Sequence, residues 1–344
     1  MSHDFYAEFW DERRHGANFG KVEGVDNIYQ KIKLSSLHLS TEQNKRWARE
    51  NKYSKWIKKE YINNVIKPQL ELMEKLGIKE PNNLSSFVRD SILLKIAFTL
   101  KKPYISQDDE EFYIIDNPIC KDKVFKVPLV RASSWKGALR WVSMKIRLID
   151  SDSKSKEYYV QERIKLLRLF GNEKDSKFLD DLFRQKLGEE EGKEAIRQFE
   201  EKAKNYASKE GNRGGRLIFY PTFLDLIGLD IIAPHDRETR TVKVPIQFEV
   251  APENAKGTFS LLYFPFDLIS EEGERVKKEV KEDLEVLKEA IPTMLTKYGF
   301  GAKTTSGYGV VEIESGVLKT SFCWEKNFKD WNGFKQVINS IVEG

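Results

Sequence analysis

The sequence predicts an α+β fold in which a helical extension precedes a core of strands and helices. Residues 92–100 place apolar side chains at every second position, as a half-buried strand does. Residues 276–295 instead repeat apolar side chains at helical spacing, with Glu271 and Glu272 expected in the first turn of this helix. Strand-like alternation returns at residues 310–314. Strand patterns on both sides of helical ones are typical of this class.

Length and composition exclude several kinds of protein. At 344 residues the chain is expected to form about two domains, or one elaborated domain with a core that needs no disulfides. Cys120 and Cys323 favour reduced thiols in a cytoplasmic protein, although a disulfide between them stays open. With four scattered histidines no zinc site is expected, and no apolar run approaches the ~20 residues of a membrane span. The high lysine and glutamate content is compatible with a thermophilic source.

The front of the chain is expected to be a helical extension, residues 1–88. Residues 1–40 show no clear period, and Thr41 is a candidate N-cap for a helix that passes Trp47 and Trp56. Pro68 is expected to interrupt this helix, and Gly77 to close it. We expect the extension to pack on the rest of the chain, with a partner surface as the alternative.

The core is expected to span residues 89–316 and to contain a basic helix after its first strand. Ser133 or Ser134 is a good N-cap, and the following apolar residues fall on one helical face. Lys136, Arg140 and Arg147 fall on another face. Residues 121–147 contain eight basic residues against one acidic residue. The N-terminus of such a helix suits a phosphate, while an ordinary solvated face is the alternative interpretation.

Two excursions interrupt the predicted core. Residues 150–210 are expected to form a helical insertion, in which residues 189–209 are highly charged with few apolar residues, as is typical of a solvated helix. Residues 211–216 form a glycine-rich hinge with Arg213 and Arg216, and a plain linker is the preferred interpretation. A second excursion, residues 225–258, leaves the resumed sheet and returns to it.

A glycine-rich loop, residues 298–309, joins the last core helix to a strand. Its glycines permit positive φ angles and close approach to a ligand, while Lys303 and Thr304 supply a cation and a hydroxyl. A nucleotide-binding phosphate loop runs from strand to helix, which is the opposite order, so nucleotide hydrolysis is excluded. A plain turn at a helix C-terminus is about equally consistent with the glycines alone. The lysine, the hydroxyls and Tyr308 favour a surface that holds a phosphate backbone.

A strand and a helix at residues 317–344 complete the prediction. Without the insertions the order is strand, helix, strands, helix, strand, which is a ferredoxin-like or RNA-recognition-like plan.

Three segments then carry a family resemblance, in order along the chain: residues 116–140, the Leu-Phe-Gly of residues 169–171, and residues 299–309. Together they resemble the RAMP superfamily of CRISPR-associated proteins, which are RRM-like subunits of RNA-guided effector complexes. Arg131 and Ala132 depart from the usual Pro-Gly of the first motif. The resemblance implies that the helix start and the loop hold a guide RNA, and that the second excursion is a thumb wedged between nucleotides. The candidate RNA-binding residues are Ser133, Ser134, Lys136, Arg140, Arg147, Arg213, Arg216, His235, Arg237, Arg240, Gly299, Gly301, Lys303, Thr304, Gly307, Tyr308 and Gly309.

Two functions follow from this resemblance. Residues 301–309 and 233–248 are most similar to the sixth, backbone-capping subunit of the type III Cmr complex. This similarity implies a non-enzymatic subunit that binds CRISPR RNA and target RNA beside other RAMP subunits. The segment around Asp116 instead resembles the backbone subunits of Csm and Cmr complexes, which implies an endoribonuclease that uses Mg²⁺ or Mn²⁺ at Asp116. The same aspartate is equally consistent with a turn before Asn117 and Pro118. A structural scaffold whose front helices matter most is a third alternative.

Overall fold

The computed structural model describes residues 9–11, 16–17, 19–36, 53–78, 80–108, 113–152, 154–172, 176–206, 213–232, 245–269, 271 and 273–343. The strands of this described part are β1 (Trp10–Asp11), β2 (Gly16–Ala17), β3 (Ile92–Leu100), β4 (Leu129–Val130), β5 (Leu217–Phe219), β6 (Thr222–Phe223), β7 (Gly228–Ile232), β8 (Ile246–Val250), β9 (Lys256–Tyr263), β10 (Val311–Thr320) and β11 (Glu325–Phe328). Its α-helices are α1 (Phe19–Glu23), α2 (Ile28–Ser35), α3 (Lys67–Lys75), α4 (Ala132–Met144), α5 (Lys156–Phe170), α6 (Ser176–Leu187), α7 (Glu189–Lys204), α8 (Glu274–Thr293) and α9 (Trp331–Glu343). Segments of π-helix precede α3 and extend α4 and α8: Trp56–Ile66, Lys145–Ile149 and Met294–Tyr298.

The central sheet has five antiparallel strands in the order β11-β10-β3-β9-β5. Apart from the edge strand β11, the strands follow the chain order β3, β5, β9, β10, and their spatial order is fourth, first, third, second. Helix α4 lies between the first two in the chain and α8 between the last two. This is the ferredoxin-like arrangement, so the predicted α+β class and core plan are confirmed.

One face of β3 packs against the helices, as its alternating sequence predicts. Ile96 and Phe98 are fully buried in the main core, which also contains Trp135 of α4 and Leu284 of α8. On the opposite face, Leu93 packs in a smaller cluster with residues from β9 and the segment before β3. Helices α4 and α8 therefore lie on one face of the sheet, and this packing positions the loops at the ends of the two helices.

Three local predictions differ from the structure. The N-cap of α4 is Arg131, not Ser133 or Ser134, because β4 ends at Val130 and leads almost directly into the helix. Helix α8 begins at Glu274, so Glu271 lies before its first turn. Strand β10 continues through Gly316, where the ring of Phe328 occupies the space a side chain would need.

The helical extension packs on the core, as predicted. The hydroxyl of Tyr61 donates a hydrogen bond to the backbone oxygen of Lys126 at 2.8 Å, and the Tyr53 ring meets the Tyr113 ring edge-on. Thr41 and Trp47 lie outside the described residues. The boundary at residues 88 and 89 stays a prediction.

The two predicted excursions are partly described. Helices α5, α6 and α7 form the first excursion, and α7 packs against both of the others. Strands β7 and β8 pair as the base of the second excursion, whose tip, residues 233–244, lies outside the described part. Across the described helices, none combines the length and apolarity that a membrane crossing requires.

Candidate nucleic-acid interface

An open cleft of about 500 Å³ lies where α4 meets the glycine-rich loop. Ser134, Ala138 and Trp141 of α4 form one wall, and residues 298–302 together with Thr304 contribute to the opposite wall. The segment after β3, including Ser106, also lines the cleft. Two motifs that lie about 160 residues apart in the sequence therefore meet at one surface.

The glycines of the loop serve its own packing before they serve any ligand. Gly299, Gly301 and Gly309 all have positive φ angles, which L-residues rarely adopt. A side chain at Gly299 or Gly309 would overlap the backbone of the opposite arm of the loop, and one at Gly301 would lie 2.6 Å from the backbone oxygen of Ile105. Gly307 also has a positive φ, but the space around it is open. The loop is thus a compact double turn that exposes residues 301–303.

A buried aromatic pair fixes this loop against α4. The rings of Trp135 and Phe300 lie 4.2 Å apart, and both side chains are buried. The indole nitrogen of Trp135 donates to the hydroxyl of Thr222 at 3.0 Å, which fixes the ring further. Backbone bonds from Ala302 to Ile105 and from Gly309 to Pro103 hold the loop to the segment after β3. The cleft is therefore built on a rigid base.

Three predicted cations lie on these elements. Lys136 and Lys303 are exposed, and Arg140 is half-buried one turn beyond Lys136. Partial burial, together with the charge of Arg140, lowers the pKa of Lys136. Among the described residues, no carboxylate forms an ion pair with Lys136 or Lys303. An anion bound here would relieve the repulsion between Lys136 and Arg140.

The loop also docks against the base of the second excursion. The hydroxyl of Tyr308 donates to Asp230 Oδ2 at 2.6 Å, and this bond raises the pKa of Tyr308 to about 12. The Lys303 ammonium lies 5.3 Å from the centre of the Phe248 ring. Tyr308 is half-buried, so its position is set by β7, while Lys303 lies between the loop and β8.

Three other predicted RNA contacts are placed in ion pairs within the protein. Arg216 is buried and bonded to Asp283 at 2.7 Å and to Glu279 at 2.6 Å. Arg213 and Arg147 are paired in the same way: Arg213 lies 2.7 Å from Asp267, and Arg147 lies 3.1 Å from Glu289 and 3.7 Å from Glu162. Because their charges are already neutralised, we leave these three arginines out of the proposed RNA surface.

The hinge predicted at residues 211–216 differs from that prediction in its described part, residues 213–216. Gly215 packs so closely on the backbone of residues 169–171 that a side chain would overlap it. The amide of Arg216 donates to the backbone oxygen of Arg168 at 2.8 Å. Residues 213–216 are therefore a packed connection and not a plain linker.

Asp116 is exposed on a loop that hydrogen bonds connect to Glu249 of β8. The amide of Glu249 donates to the backbone oxygen of Asn117 at 3.0 Å, and the buried Glu249 carboxylate accepts bonds from Tyr113, Ile119 and Lys121. Burial raises the pKa of Glu249, and the amide of Ile119 acts in the opposite direction. This anchor gives the Asp116 loop a defined position near Cys120, which lines the cleft.

The described residues around Asp116 can be compared with the ligand sets that metal ions require in proteins. Within the described ranges, no group of three or more histidine, cysteine, aspartate or glutamate side chains is arranged to hold an ion. His235, Arg237 and Arg240, which were predicted to contact RNA, lie outside those ranges. The described residues alone therefore supply no ligand set for a divalent metal at Asp116.

The sequence prediction missed an aromatic pair in the lining of the cleft, the exposed Trp141 and the half-buried Tyr298. Trp141 and Tyr298 meet edge-to-face with ring centres 5.0 Å apart. The signal was present, since Trp141 is a large aromatic residue on the polar side of an amphipathic helix. Arg131, whose Nε lies 3.0 Å from Cys120 Sγ, is a cation of the lining that the prediction also missed.

Comparisons with known proteins extend these findings. A family model described as "RAMPs: RAMP superfamily" matches residues 24–312 of the chain. The CRISPR system Cms endoribonuclease Csm3 of Streptococcus thermophilus is 25% identical over 212 residues, which cover 60% of this chain and 79% of that protein.

Two solved structures align at lower similarity. A chain in the cryo-EM structure of the Type III-B Cmr-beta bound to cognate target RNA aligns with a TM-score of 0.44 at 14% identity, covering 94% of this chain and 87% of that one. A chain of the Csm3-Csm4 subcomplex in the type III-A CRISPR-Cas interference complex aligns with a TM-score of 0.37 at 14% identity, covering 74% of this chain and 97% of that one.

Proposed function

Because this chain belongs to the RAMP superfamily, we propose that it binds guide RNA as a subunit of a type III CRISPR effector complex. It would hold the RNA backbone and contact target RNA and neighbouring RAMP subunits in antiviral defence. One observation carries the proposal: the basic start of α4 and the glycine-rich loop, far apart in sequence, face one open cleft. The capping position within the complex stays a prediction.

The geometry of the cleft supports contacts to phosphate. The first turn of α4 presents backbone amides and the positive end of the helix dipole, which favour an anion. Ser134 and Thr304 supply hydroxyls from opposite walls, and Lys136 and Lys303 supply charges on the same two elements. Contacts of this kind position a nucleic acid without reading its sequence.

Charge reversal in the cleft tests this proposal. Lys136→Glu and Lys303→Glu should each reduce the affinity for single-stranded guide RNA by about tenfold or more, since a phosphate contact is replaced by a repulsion. The measurement is an equilibrium titration of labelled RNA with the full chain.

A matched control is available on the helical insertion. Lys193→Glu reverses the charge of an exposed lysine of α7, and it should leave RNA affinity unchanged. Affinity that is unchanged in both cleft variants would contradict the proposal, as would an equal loss in the control.

Cleavage of target RNA at Asp116 is the second candidate function. Two observations favour it: Asp116 is exposed on a loop anchored by Glu249, and the similar Csm3 protein is named an endoribonuclease. The carboxylate of Asp116 would then lie beside the scissile phosphate. Because no metal ligand set is present among the described residues, no step is assigned to an ion.

Target-RNA cleavage by the reconstituted complex separates the two functions. The binding function predicts the same cuts with wild type and with Asp116→Ala, in buffers that contain Mg²⁺ or Mn²⁺. Loss of one or more cuts, while guide and target RNA still bind, would establish the endoribonuclease instead. Asp122→Ala is a control for the loss of a nearby carboxylate, because Asp122 caps a turn through bonds to Val124 and Phe125.

A further inference from the structure

Helix α4 carries two tryptophans with opposite environments. Trp135 is fully buried in the core, whereas Trp141 is 44% exposed. An exposed indole leaves a large apolar surface in water, which disfavours that position unless the surface has a partner. The contacts that Trp141 makes within the folded chain therefore leave much of its large side chain uncovered.

The two tryptophans connect the same two segments of the chain. Trp135 contacts Phe300, and Trp141 contacts Tyr298, which lies two residues before Phe300. The buried pair already fixes α4 against the glycine-rich loop. The outer pair meets at 88°, and an edge-to-face contact covers at most one face of each ring, so aromatic surface stays open.

Positive charge surrounds this outer pair. The Lys297 ammonium lies 5.2 Å from the centre of the Tyr298 ring, and the Lys145 ammonium lies 5.9 Å from that of Trp141. Lys145 also bonds to Asp150 at 2.9 Å, so Lys297 is the more available of the two cations. Both rings line the cleft that contains Ser134 and Thr304.

We propose that Trp141 and Tyr298 form a stacking site for one unpaired nucleobase of the RNA held in the cleft. The inference rests on the proposed function, because the same strand must place its phosphates on the adjacent cations. Aromatic rings beside lysines are the combination used by single-strand binding surfaces, whereas lysine is depleted in the cores of protein–protein interfaces. Every base has a π-face, so this site would not read sequence.

A double-mutant cycle between protein and RNA tests the inference. Wild type, Trp141→Ala and Trp141→Phe, each as the full chain and in the reconstituted complex, are titrated with guide RNA and with a series of RNAs that each lack one base. Trp141→Ala should lower the affinity by about 5- to 150-fold, and Trp141→Phe by much less. One abasic position should weaken binding to wild type and have no further effect on Trp141→Ala.

The salt dependence distinguishes stacking from phosphate contact. Trp141→Ala should leave the slope of log affinity against log salt unchanged, because no counterion release is lost. Phe322→Ala is the matched control: it removes another exposed aromatic ring that lies near a cation, Arg89, but that lines a different groove. The abasic series on wild type needs no variant, so a folding defect in Trp141→Ala leaves the test intact.

Three results would overturn the inference. The first is that Trp141→Ala binds RNA with wild-type affinity and that no abasic position affects wild type and Trp141→Ala differently. The second is wild-type RNA affinity with a loss of assembly, which would make the pair a protein contact. The third is an abasic effect that persists undiminished in Trp141→Ala. By contrast, a wild-type chain that fails to bind RNA, or intact binding in both cleft-lysine variants, would contradict the proposed function itself.

Discussion

The cleft and the ion-pair cluster beneath α8 use basic residues in opposite ways. On the two elements that line the cleft, Lys136 and Lys303 have no carboxylate paired with them among the described residues. In the cluster, Arg168 and Arg216 are buried, and each bonds to Asp283 at 2.7–2.8 Å. The comparison teaches that a basic residue is available to a polyanion only where the fold leaves its charge uncompensated.

Buried carboxylates hold the arginines of the cluster in their charged form. Burial alone would lower the pKa of Arg216, but Asp267 and Asp283 outweigh burial and raise it above its ordinary value. The Tyr263 hydroxyl donates a further bond to Asp283 at 2.9 Å. These bonds join β9, α5, α8 and the connection before β5, so the arginines stabilise the layer on which the sheet rests.

The largest predicted effect comes from removing a charge of the cluster. Arg216→Met should lower the free energy of unfolding by about 3–5 kcal/mol, because it removes one of the two buried cations that Asp283 and Glu279 share and leaves Arg168 as the other. Chemical denaturation of the full chain measures this change.

A surface pair supplies the control for this prediction. Arg197→Met removes the exposed partner of Glu194 on α7, and it should change stability far less. If the two variants were equally stable, the cluster would not have the structural role assigned to it, and the exclusion of Arg216 from the RNA surface would lose its physical basis.

Local patterns in the sequence were sufficient for most of the core. Alternation over residues 92–100 predicted β3 with the bounds it has, and the order of strands and helices predicted the ferredoxin-like plan. The helical period of α8 predicted its buried face, including Leu284 and Leu287. These predictions succeed because each depends on neighbours within a few residues.

Contacts between distant residues are what the local patterns could not supply. Arg216 was among the predicted RNA contacts, and its partner Asp283 lies 67 residues further along the chain. The glycines at 299 and 309 were interpreted as allowing either close approach to a ligand or a plain turn, and what approaches them is the backbone of their own loop. Whether a charge or a glycine serves the fold or a ligand is decided by tertiary contacts, which a single sequence does not contain.

A smaller effect is expected from the acid titration of the cluster. Burial alone would raise the pKa of Asp267, but bonds and charges from Arg216 and Arg213 lower it to about 2, below the ~3.9 expected when unfolded. Its contribution to stability is therefore complete above about pH 4 and is lost as the pH falls through about 2.

The matched measurement compares wild type with Asp267→Asn by chemical denaturation across the acid range. The stability difference between them should be constant at neutral pH and shrink below about pH 4. A difference that stays constant down to pH 2 would show that Asp267 has no lowered pKa in the folded chain.

The comparison of the two basic regions is tested most directly by the salt dependence of guide-RNA binding. Wild type and the double variant Lys136→Glu, Lys303→Glu are titrated with the same single-stranded RNA over a range of salt concentrations. Each phosphate contact contributes about 0.7 to the slope of log affinity against log salt for a single strand, so the double variant should lose about 1.4 or more of that slope. Equal slopes for the two proteins would show that the cleft does not hold the RNA backbone.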